Sequence, residues 1–157
     1  MNAHAEGNRV GGLQRKAIRR MQGLLIDYAG VLDLDPEDQP RWQALIAAVK
    51  EKGISTGILS NEEADTETAD AIREWEFRGD IDAVVLSGEV GAEKPERTAF
   101  QAACDAIDVD LPECVMIDDD IMNVRAAVEY GMIGILHTAF ERTAVEIQSL
   151  FGIEGEF

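Results

Sequence analysis

The sequence predicts a three-layer α/β/α sandwich built on a mainly parallel five-stranded sheet, and three observations predict it. From Gly23 onward short apolar runs alternate with amphipathic stretches, the order expected of strands joined by helical crossovers. The short runs are apolar throughout instead of alternating with polar residues, as strands covered on both faces are. The chain's 157 residues suffice for one such core and are short for two.

Taken in order, Leu24, Leu25 and Ile26 form the first run. Trp42, Leu45, Ile46 and Val49 then recur at i, i+3, i+4 and i+7, one stripe of an amphipathic helix, and Gly53 follows as its stop. Ile58 and Leu59 belong to the second strand. Residues 62–75 read as a helical stretch with an acidic outer face, Ala71, Ile72 and Trp75 turned inward. Ala83–Leu86 is the third strand. Pro95 sits where a first helical turn tolerates it, and Phe100, Ala103, Cys104 and Ile107 supply that helix's apolar face. Residues 114–117 form the fourth strand, and 123–130 a helix stopped by Gly131. Ile133–Leu136 is the fifth strand and 143–151 the last helix.

Charge narrows the function. Fourteen Lys and Arg face 31 Asp and Glu, a formal net of −17. Such a chain repels phosphate backbones and anionic lipid, which argues against nucleic acid or a membrane surface as its partner. Its apolar runs are also too short to span a bilayer. The charge is uneven: residues 1–20 carry five basic side chains (Arg9, Arg15, Lys16, Arg19, Arg20) and one acid, Glu6. Residues 1–20 are therefore expected to be a basic, disordered arm, with a short helix over 14–21, and residues 21–157 a single domain. The arm reads as a solvated segment lying against its own acidic body, with a partner-binding arm as the alternative. No apolar stretch follows it, so a secretory signal is not expected. Cys104 and Cys114 fall on core segments and are expected as buried thiols of a cytoplasmic protein. His4 and His137 cannot build a zinc site, and His137 reads as a surface histidine.

The residues that close the strands carry the chemistry. The first strand ends in Asp27-Tyr28-Ala29-Gly30-Val31-Leu32, the second in Ser60-Asn61, and the fourth in Asp118-Asp119-Asp120. Lys94-Pro95 follows the third strand. Parallel sheets bind ligands at the carboxyl ends of their strands, so these groups converge on one edge. Several carboxylates at one point repel unless a cation holds them, and hard oxygen ligands select Mg²⁺. A metal-neutralised Asp can attack phosphorus, while a hydroxyl and an ammonium match the charge on the equatorial oxygens.

In order and spacing, the segments LLIDYAGVL, GILSN, GAEKPERTAF and VMIDDDIMNVRAAVEYGM resemble the four motifs of the haloacid dehalogenase-like (HAD) superfamily. The fourth is the most specific, through Asp118, Asp119, Asn123, Val124, Ala126, Ala127, Gly131 and Met132. The resemblance implies the HAD-like Rossmannoid fold and Mg²⁺-dependent phosphoryl transfer. It implies Asp27 as nucleophile and metal ligand, Ser60, Asn61 and Lys94 as phosphate-binding groups, and Asp118 and Asp119 as further ligands, Asp119 the more direct. The backbone carbonyl of Ala29 would add another oxygen.

One position departs from the pattern. Phosphatases of the family carry Asp two residues after the nucleophile, as acid for the leaving group and base for water; here it is Ala29. Loss of a positioned acid/base costs ~10²–10⁴ in rate. Dehalogenases of the family have Tyr at that place and use no metal. Phosphonoacetaldehyde hydrolase has an Asp-Trp-Ala-Gly-Thr segment similar to Asp27–Val31, but it needs a Lys-bearing cap domain. Neither the stretch from Asp27 to Ser60 nor that from Ser60 to Lys94 has room for a cap, so a capless member with an open site is expected. Asp33, Asp35, Glu37 and Asp38 read as a solvated acidic turn, with Asp35 or Asp38 capping the Trp42 helix, and Tyr28 as packing. Two functions remain: a Mg²⁺-dependent enzyme for a substrate whose leaving group needs no proton, or a catalytically impaired module that binds a phosphorylated ligand or a protein. The open site would suit a macromolecular substrate, or a lid formed by a protein partner or a second copy.

Overall fold

The computed structural model describes residues 21–157. Residues 1–20, with the basic arm and most of the helix expected over 14–21, lie outside the described residues. Five parallel strands, β1 (Gly23–Ile26), β2 (Ser55–Ser60), β3 (Ala83–Leu86), β4 (Cys114–Asp118) and β5 (Ile133–Leu136), form one sheet in the order β3-β2-β1-β4-β5. The helices are α1 (Gln39–Glu51), α2 (Glu67–Phe77), the one-turn α3 (Ser87–Val90), α4 (Arg97–Ala106), α5 (Ile121–Glu129) and α6 (Phe140–Phe151).

Alternation of side chains along each strand divides the core into two layers. Leu24, Ile26, Ile58, Val115 and Ile117 pack with Trp42, Leu45, Ile46 and Val49 of α1, Ile72 and Trp75 of α2, and Phe140, Ala144 and Ile147 of α6. On the other face Leu25, Leu59, Cys114 and Met116 meet Phe100, Ala103 and Cys104 of α4 and Ala126 and Ala127 of α5. The three-layer sandwich expected from the apolar runs is therefore the fold. Cys104 and Cys114 are free and buried, as expected. The neighbouring Cys104 and burial push the Cys114 thiol far above its ordinary value, which keeps it neutral. Among the described residues no helix is long and apolar enough to cross a membrane.

The structure corrects several details. The acidic stretch after β2 becomes helical only at Glu67, because the Thr66 hydroxyl accepts the Ala69 N–H (3.0 Å) and sets the cap there. That phase buries Ala69 with Ile72 and Trp75 and leaves Ala71 half-buried. Pro95 lies two residues ahead of α4, not within its first turn. Asp35 caps the turn Pro36–Asp38 through the Glu37 N–H (3.0 Å). Asp38 precedes α1 but gives its carboxylate to Arg41 (2.9 Å). The last helix starts three residues early, at Phe140, whose ring sits edge-on against Trp42 (5.0 Å between centroids). His137 is not on the surface. It is 4% exposed, shares a 2.7 Å hydrogen bond between Nδ1 and the Thr143 hydroxyl, and leans on Trp42. Burial lowers its pKa, so it is neutral at pH 7.

Candidate active site at the carboxyl edge of the sheet

Strand register brings the acids together. Ile26 of β1 pairs with Ile117 of β4, and the Asp27 N–H continues the ladder to the Ile117 carbonyl (2.9 Å). Asp27 and Asp118 thus leave adjacent strand ends side by side, at the point where strand order reverses about β1. Ser60 closes β2 on the other flank of β1. Asp27, Ala29, Gly30, Ser60, Asn61, Lys94, Asp118, Asp119, Asp120 and Asn123 line one cleft of about 310 Å³. Every site residue expected from the sequence is in that list.

Lys94 organises its centre. Its side chain is almost wholly buried, and Nζ lies 2.9 Å from Asp27 Oδ1 and 2.7 Å from Asp118 Oδ2. Both Asp118 oxygens are engaged: Oδ2 also accepts from Asn123 Nδ2 (3.2 Å), and Oδ1 accepts the Asp120 N–H (2.9 Å). Asp27 Oδ1 accepts the Tyr28 N–H as well (2.9 Å). Burial pushes the Asp27 pKa up to about 7, against the lowering pull of Lys94, and the Asp118 and Asp119 carboxylates raise it further.

The donor set fits a hard divalent cation. One oxygen from each of Asp27, Asp118 and Asp119 lies within 4.8 Å of the others, and one ammonium cannot balance three carboxylates. Asp119 makes no hydrogen bond among the described residues, so its oxygens are the ones left for a ligand. Gly30 gives it room: at φ +78° a side chain is strained there, and a Cβ would overlap the Asp119 carboxylate. The Gly30 turn is braced by Asp33, whose Oδ1 accepts the Gly30 N–H (2.7 Å).

Ala29 offers only a methyl to the cleft, and none of Asp33, Asp35, Glu37 or Asp38 lines it. Tyr28 packs partly buried against the core, as expected. Asn61 lines the cleft beside Ser60. Its side chain is occupied by the backbone of Lys94, Oδ1 accepting the N–H (2.8 Å) and Nδ2 donating to the carbonyl (2.9 Å). Asn123 received no role from the sequence beyond its place in the fourth motif, although an Asn on the first turn after β4 faces back toward the strand end. Among the described residues, the segments between β1 and β2 and between β2 and β3 hold turns and one helix each. Among the described residues no inserted domain stands over the cleft.

A family model of haloacid dehalogenase-like hydrolases matches residues 3–131. A sesquiterpene phosphatase of Aspergillus oryzae is 27% identical over 113 residues, 71% of this chain and 57% of its own length. Bifunctional epoxide hydrolase 2 of Mus musculus is 30% identical over 121 residues, 75% of this chain and 21% of its own. The chain thus spans less than two thirds of these relatives. A protein of Corynebacterium glutamicum of known structure is 55% identical and superposes with a TM-score of 0.83, covering 87% of this chain and 99% of that one. A HAD-superfamily hydrolase of Ehrlichia chaffeensis shares the fold at 15% identity, with a TM-score of 0.64 over 83% of this chain and 98% of that one.

Proposed function

The chain belongs to the haloacid dehalogenase-like hydrolases, and from that premise we propose that it is a Mg²⁺-dependent phosphoryl-transfer enzyme with Asp27 as nucleophile. The observation that carries this reading is the convergence of Asp27, Asp118 and Asp119 on one point, with Lys94 bridging the first and second. The phosphatase among the similar proteins points the same way.

Asp27, Asp119 and the Ala29 carbonyl would hold the ion, with Asp118 completing the negative shell and anchoring Lys94. Bound there, Mg²⁺ supplies positive charge to the transferring phosphoryl group. Lys94 and Ser60 bind the equatorial oxygens. Ser60 is suited to this, standing buried at the carboxyl end of β2 and lining the cleft. An Asp27 oxygen forms the new bond to phosphorus while the bond to the leaving oxygen breaks, the electron pair departing with the leaving group. Water then attacks the aspartyl phosphate, releasing inorganic phosphate and restoring Asp27.

Ala29 sets the substrate class. With no acid at that place, a leaving group must depart without a proton, as acyl and aryl phosphates allow and alkyl esters do not. The open cleft suits a large substrate. The test is turnover of an aryl and an alkyl phosphate by the wild type and Ala29→Asp, each with and without Mg²⁺. The wild type should turn over the aryl ester only, slowly, and only with Mg²⁺; Ala29→Asp should gain on both esters by restoring the base for water, and more on the alkyl ester, whose leaving group it also protonates. If Ala29→Asp folds, binds Mg²⁺ and still turns over nothing, the second reading, a phospho-ligand-binding module, takes its place.

A further inference from the structure

We infer that Asn61 is a positioning residue: its side chain, by gripping both peptide groups of Lys94, fixes where the Lys94 ammonium sits. This rests on the reading of the cleft as a phosphoryl site.

Lys94 carries its charge on a four-carbon stem with many rotamers, so its placement depends on how firmly its backbone is held. That backbone lies outside any helix or strand, between α3 and α4. The turn around it is closed by the Glu96 N–H, which donates to the Glu93 carbonyl (2.8 Å), so residues 93–96 form a small unit that must itself be docked beside β2. The Glu93 N–H bonds to Glu96 Oε1 (3.1 Å), and the Pro95 carbonyl accepts from the Tyr130 hydroxyl (3.1 Å). The Lys94 N–H and carbonyl both go to Asn61, the residue directly after Ser60. An amide is the side chain for this task, since it presents one acceptor and one donor side by side to the donor and acceptor of a single residue.

The same seam is closed a second time. The Glu62 carbonyl accepts from the Gly88 N–H (3.0 Å) and the Ser87 hydroxyl (3.3 Å), and a Cβ on Gly88 would meet the Glu63 backbone at 2.8 Å. The loop that follows Ser60 is therefore joined both to α3 and to the turn that carries Lys94. The Asn61 amide oxygen and one of its amide N–H groups are both engaged on the Lys94 backbone. Its action passes through Lys94.

The test is a double-mutant cycle, Asn61→Ala, Lys94→Met and both, read as affinity for inorganic phosphate with saturating Mg²⁺. A second readout, independent of phosphate, is the ¹⁵Nζ signal of Lys94 in the metal-free protein. A held, buried ammonium gives a resolved signal. Asn61→Ala should weaken phosphate binding roughly tenfold, the scale of losing one hydrogen-bonded pair. It should broaden or abolish the Lys94 signal and cost nothing more in the Lys94→Met background. Asn61→Asp, which keeps an acceptor for the Lys94 N–H but faces its carbonyl with an oxygen, should fall between wild type and Asn61→Ala. Losses that multiply across the cycle would make Asn61 a direct phosphate ligand and overturn the inference, as would an unchanged Lys94 signal in a folded Asn61→Ala protein. A wild type that ignores phosphate while its Lys94 signal still responds to Asn61→Ala would sink the phosphoryl reading and leave the positioning role standing.

Discussion

At the scale of single residues, Asp27 carries the tension of the site. Its folded-state pKa of about 7 lies above the ordinary 3.8, chiefly through burial and despite Lys94. The folded chain therefore binds this proton more tightly than the unfolded chain. The resulting stabilisation is fully present below the unfolded value and is lost as pH rises through the folded one. Above neutrality the ionised carboxylate is a cost that Asp27→Asn removes. In metal-free buffer Asp27→Asn should melt increasingly above wild type between about pH 4 and about pH 7, the window set by the shift. A melting difference that does not change with pH would show that the carboxylate is not held out of water as the geometry implies. Asp27, Ser60, Lys94, Asp118 and Asp119 were legible because each ends or follows a strand, where the family pattern and the topology agree. The division of labour among them was not. That Asp118 spends both oxygens on Lys94, Asn123 and the Asp120 N–H, and that Asn61 faces Lys94, follows from side-chain directions that no spacing encodes.

At the scale of elements, the strands were legible because β1 to β5 are short, apolar and covered on both faces. Helix starts were less so. Thr66 decides where α2 begins through one hydroxyl, and α6 begins at Phe140 because the core reaches that far. His137, expected on the surface after β5, is buried instead against Trp42 and bonded to the Thr143 hydroxyl of α6. Phe140 is 2% exposed, meets Trp42 edge-on, and carries the Arg41 guanidinium 4.2 Å above its ring, while Arg41 also pairs with Asp38 and Glu141. Phe140 is thus the pin between α1 and α6. Phe140→Ala should cost about 3 kcal/mol in equilibrium urea unfolding, the usual cost of an emptied aromatic site. A loss below about 1 kcal/mol would mean that α6 docks by other contacts.

At the scale of the whole molecule, the sheet order β3-β2-β1-β4-β5 places the chemistry at one edge, and the short connections leave that edge open. The central claim is that Asp27 takes up a phosphoryl group there. Ala29 gives it an observable consequence. The missing side chain would also have been the base that activates water, so release from Asp27 should be slowed by ~10²–10⁴ and the phosphoenzyme should accumulate. The direct measurement is intact mass after incubation with acetyl phosphate and Mg²⁺, followed by hydroxylamine. The account predicts the gain of one phosphoryl group, located on the peptide containing Asp27, removed by hydroxylamine and absent both without Mg²⁺ and in Asp27→Asn. A wild-type chain that gains no phosphoryl group, or an Asp27→Asn chain that gains one as readily, would contradict it.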